Sequence, residues 1–139
     1  MKYSQNSLYK LSTVDPVLRQ VFMEALATDL VDITIVCGVR SKAEQDSAYN
    51  SGHSKLKWPN SKHNIVYPSD RAMAVDAAPF IDGKVSFKLE DCAFLAGIVL
   101  TIANDLGVNI RWGGCWKMDG RPFRQSFVDA VHYEISLTS

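Results

Sequence analysis

The chain has 139 residues, with 15 lysines and arginines matched by 15 aspartates and glutamates, and 47% of its residues are apolar. That length suits one ordinary domain, read here as 1–139, with enough apolar mass for a core. Balanced charge excludes the basic footprint of a nucleic-acid binder, and no apolar run approaches the roughly 20 residues that cross a bilayer.

The first residues, MKYSQNSLYKLSTVDP, hold neither the apolar stretch nor the small-residue cleavage site of a secretory signal. The expectation is a protein that stays in the cytoplasm where it is made. A helix is predicted over Val14 to Ala27, with Asp15 as N-cap and Pro16 in its first turn. Val17, Val21, Phe22, Ala25 and Leu26 recur along it at helical spacing. Asp32 to Cys37 is β-branched and reads as a strand, ended by Gly38-Val39-Arg40. Ser41 then caps a second helix, with Glu44 completing a capping box and Gly52 as its stop. Gly52 to Asp70 is polar, interrupted by Pro59 and Pro68, and reads as loop.

Ala72 to Pro79 reads as a buried strand ending at the proline, followed by a tight turn at Asp82-Gly83. Leu89 to Leu106 is the longest predicted helix, stopped by Gly107. Val108 to Trp112 is a strand leading into Gly113-Gly114, and Val131 to Ile135 is an alternating strand. Mixed helices and strands with several short connections predict an α+β domain, its helices packed on a mainly antiparallel sheet. Cys37, Cys92 and Cys115 are odd in number, widely spaced and without a CxxC pair. They read as reduced thiols, not as a disulfide framework or a cysteine-based zinc site.

Three residues stand out against this frame. Alternation in VHYEI puts Val131, Tyr133 and Ile135 on one face and His132 and Glu134 on the other. Asp76 interrupts the apolar run from Ala72 to Ala78, where a charge is costly unless paired, hydrogen-bonded or bound to metal. The competing reading makes it a carboxylate emerging into solvent at a strand end. His63 follows Ser61-Lys62 in a polar loop. Two imidazoles and a carboxylate form a three-ligand set for Zn2+ that leaves a fourth position open for water. Asp129, three residues before His132, is placed to take a proton from that water. Asp76 ranks above Asp70, since a strand holds a ligand more rigidly than a loop. His53, just past a helix stop, reads as solvated.

The segments GVRSKAEQ, SKH, AVDAAPF, RWGGCW and DAVHYEI resemble, in order, motifs of the D-Ala-D-Ala carboxypeptidase and L-alanyl-D-glutamate peptidase family. These are zinc peptidases of the lysostaphin, D-Ala-D-Ala peptidase and Hedgehog fold group, and the likeness is greatest to single-domain phage endolysins. It runs from about the first helix to Ile135. The resemblance implies that His63, Asp76 and His132 bind zinc, that Asp129 is the general base and that Arg40 stabilises the oxyanion. For Arg40 the competing reading is a surface salt bridge at a strand end. Ser61, Gln45, Trp112 and Trp116 are weaker candidates for substrate contacts, with loop ordering or packing as the alternatives.

Two features depart from the family pattern. Twelve residues separate His63 from Asp76 where relatives have about six, which we read as a cheap surface-loop insertion. Asp70, at the usual interval, is the ligand if that reading is wrong. Cys115 stands where relatives often carry Asp, so a contact of its thiol with the metal is a further possibility. The function implied is a monomeric endolysin without a wall-binding module. It would wait in the host cytoplasm until lysis and then cut the L-Ala–D-Glu bond of the peptidoglycan stem peptide, with no insertion into membrane. The alternatives are a D-Ala-D-Ala carboxypeptidase, a non-catalytic zinc-containing wall-binding module, and a metal-free domain.

Overall fold

In a computed structural model, residues 1–136 are described. Four helices and five strands follow in the order α1 (Gln5–Leu11), α2 (Pro16–Ala27), β1 (Ile33–Cys37), α3 (Lys42–Asn50), β2 (Ala74–Ile81), β3 (Lys84–Val85), α4 (Leu89–Asp105), β4 (Ile110–Trp112) and β5 (His132–Ile135). The strands form an antiparallel sheet in the order β1-β2-β5-β4, with the short β3 paired to β2.

Local chemistry explains most of these boundaries. The Asp15 carboxylate accepts from the Val17 backbone N–H ahead of Pro16, and Ser41 and Glu44 close a reciprocal capping box on α3. Asp82 and Gly83, both with positive φ, make the two-residue turn between β2 and β3. Gly107, at φ 72°, stops α4.

Two elements differ from the sequence reading. Strand β2 continues through Pro79 to Ile81. Pro79 faces Ile33 of β1, and β5 pairs only with Ala74 to Asp76, so β2 needs no donor from the proline on its other side. Helix α1 was not expected at all. Ser4 caps it, and Ser7 is buried because its hydroxyl accepts from the Ile35 N–H on the outer edge of β1. Helix α1 thus covers an edge that would otherwise present an open donor.

The core lies on one face of the sheet. Leu18, Val21, Phe22, Ala25 and Leu26 of α2 meet Leu95, Val99 and Ala103 of α4 over Val75, Ala77 and Tyr133. The Tyr133 ring meets Phe22 edge-on at 5.2 Å. Since strand side chains alternate, Asp76, His132 and Glu134 point to the opposite face, under the long loops that follow α3 and β4.

Candidate metal centre and active-site cleft

Register places two of the three candidates side by side. Asp76 of β2 is the direct cross-strand partner of His132 of β5. Both project from the same face, at the separation that brings opposed side chains into contact. A one-residue slip would send both into the core. His63 arrives from the loop. The Ser61 hydroxyl accepts from the His63 N–H, and the His63 carbonyl accepts from the Arg40 N–H.

The three side chains converge. His63 Nε2 lies 3.0 Å from Asp76 Oδ1 and 3.2 Å from His132 Nδ1, and His132 Nδ1 lies 3.2 Å from the same carboxylate oxygen. All three are buried, and among the described residues they form the one group with metal-ligating spacing. Nitrogen and oxygen donors at about 2.0–2.1 Å from a tetrahedral zinc lie roughly 3.3 Å apart, so the group needs almost no rearrangement to hold one ion.

The far nitrogen of each imidazole is already committed. His63 Nδ1 donates to the Gly38 carbonyl at 2.7 Å, and a carbonyl only accepts, so Nε2 is the free lone pair. His132 Nε2 lies 2.9 Å from Glu134 Oε1, which leaves Nδ1 for the centre. A carbonyl or carboxylate behind each histidine is the usual support of a metal-ligating imidazole. Glu134 is held in turn by Lys62 at 3.2 Å and Arg111 at 2.9 Å. Burial raises its pKa, but His132 and these two cations override that and bring it to about 2.

Burial alone would pull His63 down. The Asp76 carboxylate overrides it and holds the imidazole at about 10 in the metal-free protein, with His132 also raised by Asp76 and Glu134. Burial likewise works against ionising Asp76, and the two histidines more than offset it, so the carboxyl is held well below its ordinary value. The centre is therefore a buried carboxylate that raises the proton affinity of the imidazoles beside it, and a cation bound there competes with those protons.

Asp129 sits beside this group. Its carboxyl is pushed up to about 6, first by burial and then by the charge of Asp76. The backbone around it is knitted to β4 and β5. The Asp129 N–H donates to Gly113 O, Gly113 N–H to His132 O, and His132 N–H to Asp129 O. A Cβ on Gly113 would run into the Asp129 carbonyl, so only glycine allows this approach.

A cleft with a void of about 210 Å³ opens over the centre. Arg40, Lys55, Lys62, Arg111, Trp116 and Phe127 line it together with Asp129 and two of the three converging residues. Trp116 lies 5.4 Å from the His132 ring and stacks on Phe127 at 6.2 Å.

The profile of the family described as phage L-alanyl-D-glutamate peptidase matches residues 1–136. The chain belongs to this family. It is similar to the L-alanyl-D-glutamate peptidase of Escherichia phage T5, with 32% identity over 96% of this chain and 97% of that one. In structure it is similar to the Serratia marcescens L-Ala D-Glu endopeptidase ChiX. The TM-score is 0.75 at 27% identity, covering 97% of this chain and 90% of that chain. The chain is therefore a peptidase, on an α+β fold shared with that endopeptidase.

Not every sequence candidate reaches the cleft of this family member. Asp70 lies on the exposed stretch from Val66 to Arg71, with its side chain 88% exposed and paired to Arg71. The extra length between His63 and Asp76 is thus a surface excursion. Trp112 does not flank the cleft. Alternation along β4 turns it into the core with Ile110, its Nε1–H donates to Ala130 O, and Arg111 takes the cleft side. Gln45 is fully buried and contacts no open surface. Its amide oxygen accepts from Arg40 and Asn64, and its nitrogen donates to Ser54 and Leu56. The Cys115 thiol donates to Asp119 Oδ1 at 3.4 Å and is not among the three converging residues. Ser61 lines the cleft, and its hydroxyl oxygen accepts from the His63 N–H. Lys62, Arg111 and Phe127 were missed. For Lys62 and Arg111 a signal existed, since each sits beside a quoted motif residue, but charge at a loop or strand end is ordinary.

Proposed function

We propose that His63, Asp76 and His132 hold one zinc ion, and that the protein uses it to hydrolyse the L-Ala–D-Glu bond of peptidoglycan stem peptides during phage-driven lysis. The observation that carries this reading is the buried triangle of two nitrogens and one oxygen, with Asp129 beside it, in a chain of this family. Zinc bound there supplies a Lewis acid for the scissile carbonyl and lowers the pKa of water.

The remaining steps belong to the chain's own side chains. Asp129 takes the proton of the attacking water and returns it to the leaving amine of D-Glu. A carboxyl raised to about 6 is basic enough to accept that proton and acidic enough to release it. Arg40 meets the negative charge that develops on the carbonyl oxygen. It is aimed by Gln45 Oε1 at 3.0 Å and lies 3.6 Å from Asp76 Oδ2. Among the described residues no helix is long and apolar enough to cross a membrane. In our reading the protein acts as a monomer from the host cytoplasm and meets the wall once another agent has opened the membrane.

The test combines zinc content with end-group analysis of digested peptidoglycan. We expect one zinc per chain in wild type and Asp70→Ala, and its loss in Asp76→Ala. New L-Ala carboxyl and D-Glu amino ends should appear together. Release of free D-Ala instead would move the activity to carboxypeptidase chemistry, and zinc lost only in Asp70→Ala would overturn the ligand set.

A further inference from the structure

The chain as a whole is neutral, but the cleft is not. Arg40, Lys55, Lys62 and Arg111 line it against the carboxylates of Asp129 and Glu134, before any metal adds its charge. Arg40 is committed to Gln45 and Asp76, and Lys55 rests on the Phe127 ring. Lys62 and Arg111 form a fixed pair. Both bind the same Glu134 oxygen, and Glu134 binds His132 through its other oxygen. Two cations on one carboxylate leave an excess of positive charge one residue from the metal-ligating group. The Arg111 guanidinium also lies 5.2 Å from the Trp116 ring, and the side chain as a whole stays 43% exposed. Stacking on an indole and one shared oxygen fix the fork while leaving donors over.

The substrate named for this family carries a matching group. In stem peptides the chain leaves D-Glu through its γ-carboxyl. The α-carboxylate therefore remains free, one carbon from the scissile nitrogen, unless the cell has converted it to an amide. We propose that Arg111, with Lys62 beside it, binds this α-carboxylate, so that the enzyme selects D-Glu over its α-amidated form. The proposal rests on the L-Ala–D-Glu reading above and adds a specificity determinant to it. A charge-assisted, two-point contact discriminates between carboxylate and carboxamide, since the amide offers one acceptor and no charge.

Two acetylated tripeptides test it, identical except for a carboxylate or a carboxamide at the α-position of D-Glu. Zinc-loaded wild type should show kcat/KM about 10- to 100-fold higher on the acid, the range a charged hydrogen bond supports. Arg111→Gln should slow the acid substrate far more than the amide, so that the acid-to-amide ratio of kcat/KM falls towards one, and Arg111→Lys should restore part of the preference. Zinc content is measured in every sample. If Arg111 only braces Glu134, its loss slows both peptides alike and the ratio stays at the wild-type value, which overturns the proposal. Equal wild-type rates on both peptides also overturn it, while leaving the peptidase reading intact. Failure to cut either peptide removes that reading and this proposal together.

Discussion

Glu134 is a buried carboxylate and Asp129 a partly buried one, both on the cleft side of the sheet, yet their surroundings drive them in opposite directions. Glu134 is clamped by His132, Lys62 and Arg111 and stays ionised, whereas burial and the charge of Asp76 push Asp129 up to about 6. Groups split in this way take different tasks. Asp129→Asn keeps the shape and removes the base, so zinc should remain at one per chain while kcat falls about 10²- to 10⁴-fold. Asp129 must enter each turnover as the carboxylate to accept the proton of water. Turnover by wild type should therefore fall as pH drops through about 6, or lower once a metal's positive charge is present. A Glu134→Gln variant should show the reverse pattern to Asp129→Asn. Its loss of charge behind His132 should weaken zinc binding about 10- to 100-fold, measured by competition with a chromogenic chelator. Unchanged zinc affinity would mean that Glu134 serves the cations and not the imidazole.

At the scale of elements, the centre depends on a helix far from it in sequence. The end of α1 presses on Gly38, whose carbonyl accepts from His63 Nδ1. The Thr13 hydroxyl accepts from the Val39 N–H, Lys10 Nζ reaches Val36 O, and a Cβ on Gly38 would run into the Lys10 carbonyl and the Thr13 hydroxyl. Gly38→Ala should therefore cost about 1–3 kcal/mol through overpacking and also weaken zinc binding, because the carbonyl behind His63 must shift. Ser7→Ala is the contrasting case. It strands the buried Ile35 N–H at a cost of about 1–3 kcal/mol, but leaves zinc affinity as it was. Denaturant melts alongside chelator competition separate the two.

The same region shows what a sequence can and cannot display. Strand alternation in VHYEI, the charge inside AVDAAPF and the caps at Asp15 and Ser41 are local patterns with one good solution each, and all were legible. Helix α1 was not. It is seven residues long, and its buried positions include Ser7, whose partner lies 28 residues away. Trp112 and Trp116 stand in one motif, and while alternation along β4 turns Trp112 into the core, only the course of the loop after β4 brings Trp116 to the cleft. Gln45 looked like a ligand contact because nothing in its helix shows that four partners already use its amide.

For the whole molecule, the metal and the fold are linked through protons. In the metal-free protein His63 is held at about 10 by Asp76, well above the roughly 6.5 of an unfolded histidine. A raised folded-state pKa contributes stability that is fully present below about 6.5 and lost as pH climbs through about 10. The metal-free protein should therefore soften across that window. Zinc acts in the other direction. It needs unprotonated imidazoles, so each ion bound at neutral pH must displace protons, and its affinity rises with pH over the same range. Binding to the folded state alone stabilises by RT ln(1 + [Zn]/Kd), about 4 kcal/mol at a thousandfold excess over Kd. The gap in Tm between zinc-loaded and metal-free protein should accordingly widen from pH 6 to pH 9, at fixed free zinc set by a metal buffer. Calorimetric titrations in buffers of different ionisation enthalpy should show proton release that shrinks as pH rises. A Tm gap that stays flat, or narrows, would mean that the buried triad does not carry those protons or does not hold the ion.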